Sequence, residues 1–116
     1  AADELQLSRC RAWKALTANT WSSPATLDAG PWQDITGVDL PQRGAVALAL
    51  WDEGAETISL AYVRLNEAGD TYTMSTPAVV ATDAMDGMDL FLAKDGRLLL
   101  AYRQTSDDAH VLLELR

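Results

Sequence analysis

Two stretches of the chain, "RGAVALAL" (43–50) and "DGRLLLAY" (95–102), state nearly the same pattern 52 positions apart. Each puts a glycine turn directly before an apolar run. Self-similarity at a fixed spacing constrains a fold more than any single motif, because it dictates repeated supersecondary units. Other blocks follow in the same order. "TWSSPATL" (20–27) lies over "TYTMSTPAVV" (71–80) with two residues inserted, and "TGVDL" (36–40) lies over "DGMDL" (86–90) at a spacing of 50. "TISLAYVRL" (57–65) lies over "AHVLLELR" (109–116). The pattern predicts two copies of one unit of about fifty residues.

Each unit reads as short strands. In 45–50, Ala45, Ala47 and Ala49 fall on one face and Val46, Leu48 and Leu50 on the other. A strand apolar on both faces has to be covered on both. "PQRG" and "KDG" are hairpin-turn signals, and Ile58, Leu60 and Tyr62, like Val111, Leu113 and Leu115, mark further alternating strands. Pro24 and Pro77 suit a strand start or an outer edge, since proline cannot donate to a ladder. The order per unit is therefore inner strand, tight turn, second strand, polar loop, third strand, hairpin, outer strand. A four-stranded antiparallel unit of this size is that of a β-propeller blade.

The hairpin "LNEAGDTY" (65–72) resembles the Asp-box, or BNR repeat, of sialidase-like propellers, whose pattern is S-x-D-x-G-x-T-W. Gly69, Thr71 and Tyr72 match or nearly match, Glu67 stands for the aspartate and Leu65 for the serine. An earlier copy keeps Thr20 and Trp21, with Ala18 in place of the glycine. The resemblance implies an all-β fold of two four-stranded propeller blades, with the box as a structural turn facing away from any active site. It divides the chain into an amino-terminal strand or short helix (1–20), an outer strand plus the first complete blade (21–80), and a second blade without its outer strand (81–116). Residues 4–16 fit either a strand or a helical face carrying Leu5, Ala12, Trp13 and Leu16, with the strand preferred.

Two blades alone would leave apolar end faces and strand edges exposed. The sequence therefore predicts a ring completed by other chains: a homotrimer, or a partner chain that supplies further blades. If the chain is a piece of a longer polypeptide, the same incompleteness follows without association.

Composition narrows the function classes. Nine basic against seventeen acidic residues give a net charge of −8, which argues against phosphate-backbone and anionic-lipid binding. No run of about eighteen apolar residues is present, so no membrane-spanning helix is expected. The single Cys10 excludes an internal disulfide and reads as a small buried hydrophobe, or else pairs with another chain. The start "AADE" is similar to the end left by signal-peptide cleavage and points to a periplasmic or secreted location.

Strand order puts ten acids on one rim: Asp34, Asp39, Asp52, Glu53, Glu56, Asp83, Asp86, Asp89, Asp107 and Asp108. Arg43, Lys94 and Arg97 fall on the other. Three readings fit the acidic rim. The first is turn chemistry, which uses Asp and Gly. A calcium site would need several converging oxygens, and "DAMDGMD" lacks the EF-hand spacing; no other cofactor is indicated. Sugar binding would use Trp32 or Trp51 as a stacking platform, with Glu53, Asp86, Asp89 and Arg103 as polar partners. Sialidase-like enzymes use an arginine triad and a tyrosine nucleophile assisted by glutamate, whereas Arg103 alone can be placed on this rim. The Asp86–Asp89 pair is a weak signal for general-acid hydrolysis, and His110 reads as an exposed strand-start residue before a catalytic base. The sequence therefore points to a non-catalytic binding or assembly module. The alternative is a fragment or subunit of a sialidase-like glycoside hydrolase.

Overall fold

The computed structural model of the chain describes residues 4–7, 25–65 and 72–115. It forms two compact units, Ala1–Pro31 and Trp32–Arg116. The described residues are all-β apart from one short 3-10 turn, every strand pairing is antiparallel, and neither larger sheet closes on itself.

In the first unit, β1 (Leu5–Leu7) pairs with β2 (Ala25–Asp28). Leu5–Leu7 is thus extended, while residues 8–16 lie outside the described residues.

The second unit holds two sheets. One is a meander of β3 (Asp34–Leu40), β4 (Ala45–Asp52) and β5 (Thr57–Leu65), whose far edge carries β6 (Tyr72–Met74) and β7 (Ala78–Ala81). β6 and β7 occupy one outer lane, where the repeat pattern predicts a single outer strand with Pro77 at its start or on an edge. The break falls at residues 75–77, because Pro77 has no N–H for the ladder. Ser75 bridges the gap: its N–H donates to the Tyr62 carbonyl (2.9 Å), and its Oγ accepts from the Tyr62 N–H (2.8 Å). The other sheet is a three-stranded meander of β8 (Ala84–Leu92), β9 (Leu98–Gln104) and β10 (His110–Leu115).

The tight turns use left-handed backbone where the sequence supplies it. Gly44 (φ 60°) closes the β3–β4 connection and Gly96 (φ 90°) the β8–β9 connection. Each donates its N–H to the carbonyl three residues back, Pro41 and Ala93. Glu56 (φ 55°) and Asp108 (φ 58°) end the β4–β5 and β9–β10 turns. Both pairs of turn residues stand 52 positions apart. The inner strands do not keep that spacing. Thr36 pairs with Ala49 and Asp89 with Ala101, so the ladders place Thr36 opposite Asp89 in equivalent lanes, 53 apart, whereas Asp34 and Met85 are 51 apart. β8 carries two extra residues in a bulge between Met85 and Asp89, around Gly87 (φ 99°). The sequence match of "TGVDL" to "DGMDL" at 50 is therefore not the structural register.

One further correspondence links the two units. β1–β2 pairs Leu5 with Asp28, Gln6 with Thr26 and Leu7 with Ala25; β5–β7 pairs Ile58 with Ala81, Ser59 with Val79 and Leu60 with Ala78. Every residue of the second set stands 53 after its counterpart, and the register slips at the same step in both.

The core of the second unit lies between its two sheets. From the first come Leu40, Ala47, Ala49, Trp51, Ile58 and Leu60, and from the second Met88, Leu90, Leu98, Leu100 and Tyr102, with Val111, Leu113 and Leu115 packed alongside. Strand alternation puts each set on one face. Leu100 has no exposed surface, whereas Leu112, on the opposite face of the same sheet, is 63% exposed. Leu100→Ala should cost about 2–5 kcal/mol in urea unfolding, the range for a buried leucine that leaves a cavity. Leu112→Ala should stay within about 0.5 kcal/mol under dilute conditions, and equal effects would contradict this assignment of faces.

Candidate functional site

Seven of the ten predicted rim acids lie in the connections at one end of the sheets or within one residue of them. Asp34 opens β3 and Asp52 closes β4; Glu53 and Glu56 lie in the β4–β5 turn, Asp107 and Asp108 follow β9, and Asp83 precedes β8. Asp86 sits close to this end, in the β8 bulge. Two do not belong there. Asp39 is the penultimate residue of β3, at the opposite end, and Asp89 is within β8, paired with Ala101 on the outward face.

Most of these carboxylates bind backbone. Asp52 Oδ1 accepts from the Ala55 N–H (3.3 Å) and Asp107 Oδ1 from the Ala109 N–H (3.1 Å). Asp83 accepts from the Ser106 N–H (3.1 Å) and hydroxyl (2.5 Å), while its own carbonyl takes the Thr105 N–H (2.8 Å), tying the β9–β10 turn to the entry of β8. The Glu56 carbonyl accepts from the Ala84 N–H (2.8 Å), and Gln33 Oε1 from the Glu53 N–H (2.7 Å). This is the chemistry that shapes Asp-rich turns.

The predicted ligand groups separate in space. Trp51 is buried, and its indole N–H donates to the Ala84 carbonyl across 3.0 Å in the core. Its ring is committed to packing and is not presented as a sugar platform. Trp32 is half-buried just before β3, and Glu53 is exposed in its turn. Arg103 Nε donates to Asp108 Oδ1 (2.8 Å), and a second guanidinium nitrogen contacts the same oxygen. Arg103 is thus ion-paired within its own hairpin. His110 pairs with Arg103 in the ladder and is exposed. Of the Asp-box residues, Tyr72 begins β6 opposite Leu65, while Thr20, Trp21, Glu67, Gly69 and Thr71 lie outside the described residues. Among the described residues, no group of three or more His, Cys, Asp or Glu side chains converges as a metal would require. None of the described helices is long and apolar enough to cross a membrane.

Two features were not anticipated from the sequence. First, Asp34 and Asp86, far apart in sequence, meet as carboxyl partners. Partial burial, then the hydrogen bond to Asp86 and its charge, raise the Asp34 pKa above the ordinary aspartate value, against the lowering effect of the Ile35 N–H. Second, a cleft of about 300 Å³ opens at the other end of the sheets, lined by residues of the β3–β4 and β8–β9 turns.

No family model, curated protein or solved structure matches the chain.

A carboxyl that is more readily protonated folded than unfolded makes stability fall as pH rises from the ordinary aspartate value to the raised folded one. Above that window the loss is complete. Asp34→Asn removes it, so the variant should be at least as stable as the parent at pH 7, with a flatter stability curve in mildly acidic buffer. Thermal melts from pH 3.5 to 7 check this, and a variant less stable at pH 7 would contradict it.

Proposed function

We propose that the chain is a non-catalytic assembly module: blade-like sheets of a β-propeller that stack on further sheets supplied by other chains. The observation that carries this reading is which faces meet. Counting from the turn residues 52 apart, Ala47, Ala49 and Trp51 of β4 correspond to Leu99, Ala101 and Arg103 of β9, and Val46, Leu48 and Leu50 to Leu98, Leu100 and Tyr102. The core takes Ala47, Ala49 and Trp51 from one sheet but Leu98, Leu100 and Tyr102 from the other. The same holds for Ile58 and Leu60 against Val111 and Leu113. Equivalent strands thus present opposite faces to the interface. A sandwich with local two-fold symmetry would use the same face twice and be finished, whereas opposite faces make a heterologous contact that each new sheet can repeat until a ring closes.

The uncovered apolar residues fit that arrangement. Ile35 (40% exposed), Val46 and Val79 stand on the outward face of the first sheet, and Phe91 and Leu112 on that of the second. Leu50, Ser59, Ala61 and Val63 are buried on the first sheet's outward face, so that face is open for stacking only at Ile35, Val46 and Val79, whereas the second outward face is open at Phe91 and Leu112. The matching registers of β1–β2 and β5–β7 support a third, partial unit of the same kind. A homotrimer would bring about six blades, within the roughly four to eight at which propellers close. The acid-lined end, with its tied turns, would be the exposed rim of such a ring and the face for a basic protein partner or a glycan. A secreted or periplasmic location suits that role.

The hydrolase alternative has less support, because Arg103, its one rim arginine, is occupied by Asp108. Light scattering tests the assembly directly. The purified chain should run as a multiple of its own mass, and Leu112→Glu, a substitution at an exposed site, should bring it to monomer without loss of β-sheet circular dichroism. A parent chain that stays a stable monomer at tens of micromolar would overturn the reading.

A further inference from the structure

We propose that the cleft between the β3–β4 and β8–β9 turns binds a small amphipathic anion: a carboxylate or phosphate head on an apolar body of about eight carbons. The inference does not depend on ring closure, because both turns belong to one compact unit. The cleft holds about 300 Å³, at the lower end of the range for small-molecule pockets. Leu40, Pro41, Leu92 and Leu98 supply an apolar lining.

Leu92 shows that this lining is unfilled. By alternation with Leu90, and by its pairing with Leu98, it belongs to the face that packs into the core. Leu90 and Leu98 are each 5% exposed, yet Leu92 is 37% exposed. A side chain of the inner face is thus left partly exposed beside the cleft, an apolar surface that a ligand's apolar body would cover favourably.

The charge at the mouth runs against that of the molecule. The chain carries −8 overall, but the cleft is bordered by Arg43 and Lys94, and neither has a carboxylate partner among the described residues. The acid in the lining, Asp95, is held by the Arg97 backbone N–H (3.2 Å) and guanidinium (2.8 Å), which keep its carboxyl ionised below the usual range. Arg97 also reaches Glu114 (3.5 Å). Asp39 points to the other face of β3 by alternation with Leu40. The Arg64 guanidinium donates to the Arg43 carbonyl (3.0 Å) and braces the turn. That bond, Pro41 and the left-handed Gly44 and Gly96 fix both turns, so the cleft is formed before a ligand arrives. Cations above an apolar floor select an amphipathic anion over a sugar or a nucleotide base.

The test is a titration of the intact, isotope-labelled protein with octanoate, octyl phosphate, octanol and octylamine, each below its micellar range and followed by backbone amide shifts. Octanoate or octyl phosphate should give saturable shifts at residues 40–44 and 92–98, and binding should weaken about tenfold in Arg43→Gln/Lys94→Gln, the order expected for losing charge-assisted contacts. Leu92→Asn should weaken either anion while the shifts of residues 105–110 stay those of the parent, which confirms the fold. Octanol or octylamine binding as tightly as the anions would overturn the proposal. So would shifts centred on the outward faces, or undiminished affinity in the double variant.

Discussion

The second unit depends on one apolar contact, the meeting of its two meanders across a shared core. Either meander by itself would leave an apolar face in water. Here β4 contributes mostly small residues (Ala47, Ala49) and β9 large ones (Leu98, Leu100, Tyr102) to one buried cluster. A buried polar bond in that contact, from the Trp51 indole N–H to the Ala84 carbonyl, fixes the sheets laterally, since a shift of either would leave a buried donor unpaired. The turns at both ends follow from that placement, as does the meeting of Asp34 with Asp86.

The strands were legible because alternation is a strong signal where both faces are apolar. The run at 45–50 and the glycine turns at Gly44 and Gly96 fall where the pattern puts them. The register of the inner strands was not legible. A two-residue bulge in β8 moves the match from 50 to 53, and "DGMD" resembles "TGVD" closely enough to mislead; only the ladder reveals the insertion. Trp51 illustrates a second limit. An aromatic beside a polar loop reads equally as a binding platform or as the last core residue of a strand, and burial alone decides. The rim acids were largely placed, but Asp39 and Asp89 were not, because counting along a loop does not say where a strand ends. The Asp34–Asp86 contact and the cleft arise from strands distant in sequence, and no local pattern encodes them.

The two ends of the second unit differ in kind. At the acidic end, carboxylates are occupied by backbone N–H groups, Ser106 and Arg103, so their charge is structural before it is functional. At the opposite end, Arg43 and Lys94 border an unfilled apolar cleft. A stacked assembly of the kind proposed would keep both ends open to solvent, because its sheets would contact through their faces. Scaffold and ligand site can therefore coexist without competing for surface.

The account stands on opposite-face stacking between copies, and directed cross-linking measures that most directly. In a Cys10→Ser background, Val46→Cys and Leu112→Cys probe the two outward faces. Mixed under mild oxidation, the two single-cysteine variants should form a disulfide-linked heterodimer rapidly, while neither alone gives a homodimer at comparable rate. Efficient homodimers of either variant, with no preference for the mixed pair, would mean that like faces meet, and the stacking account would fail.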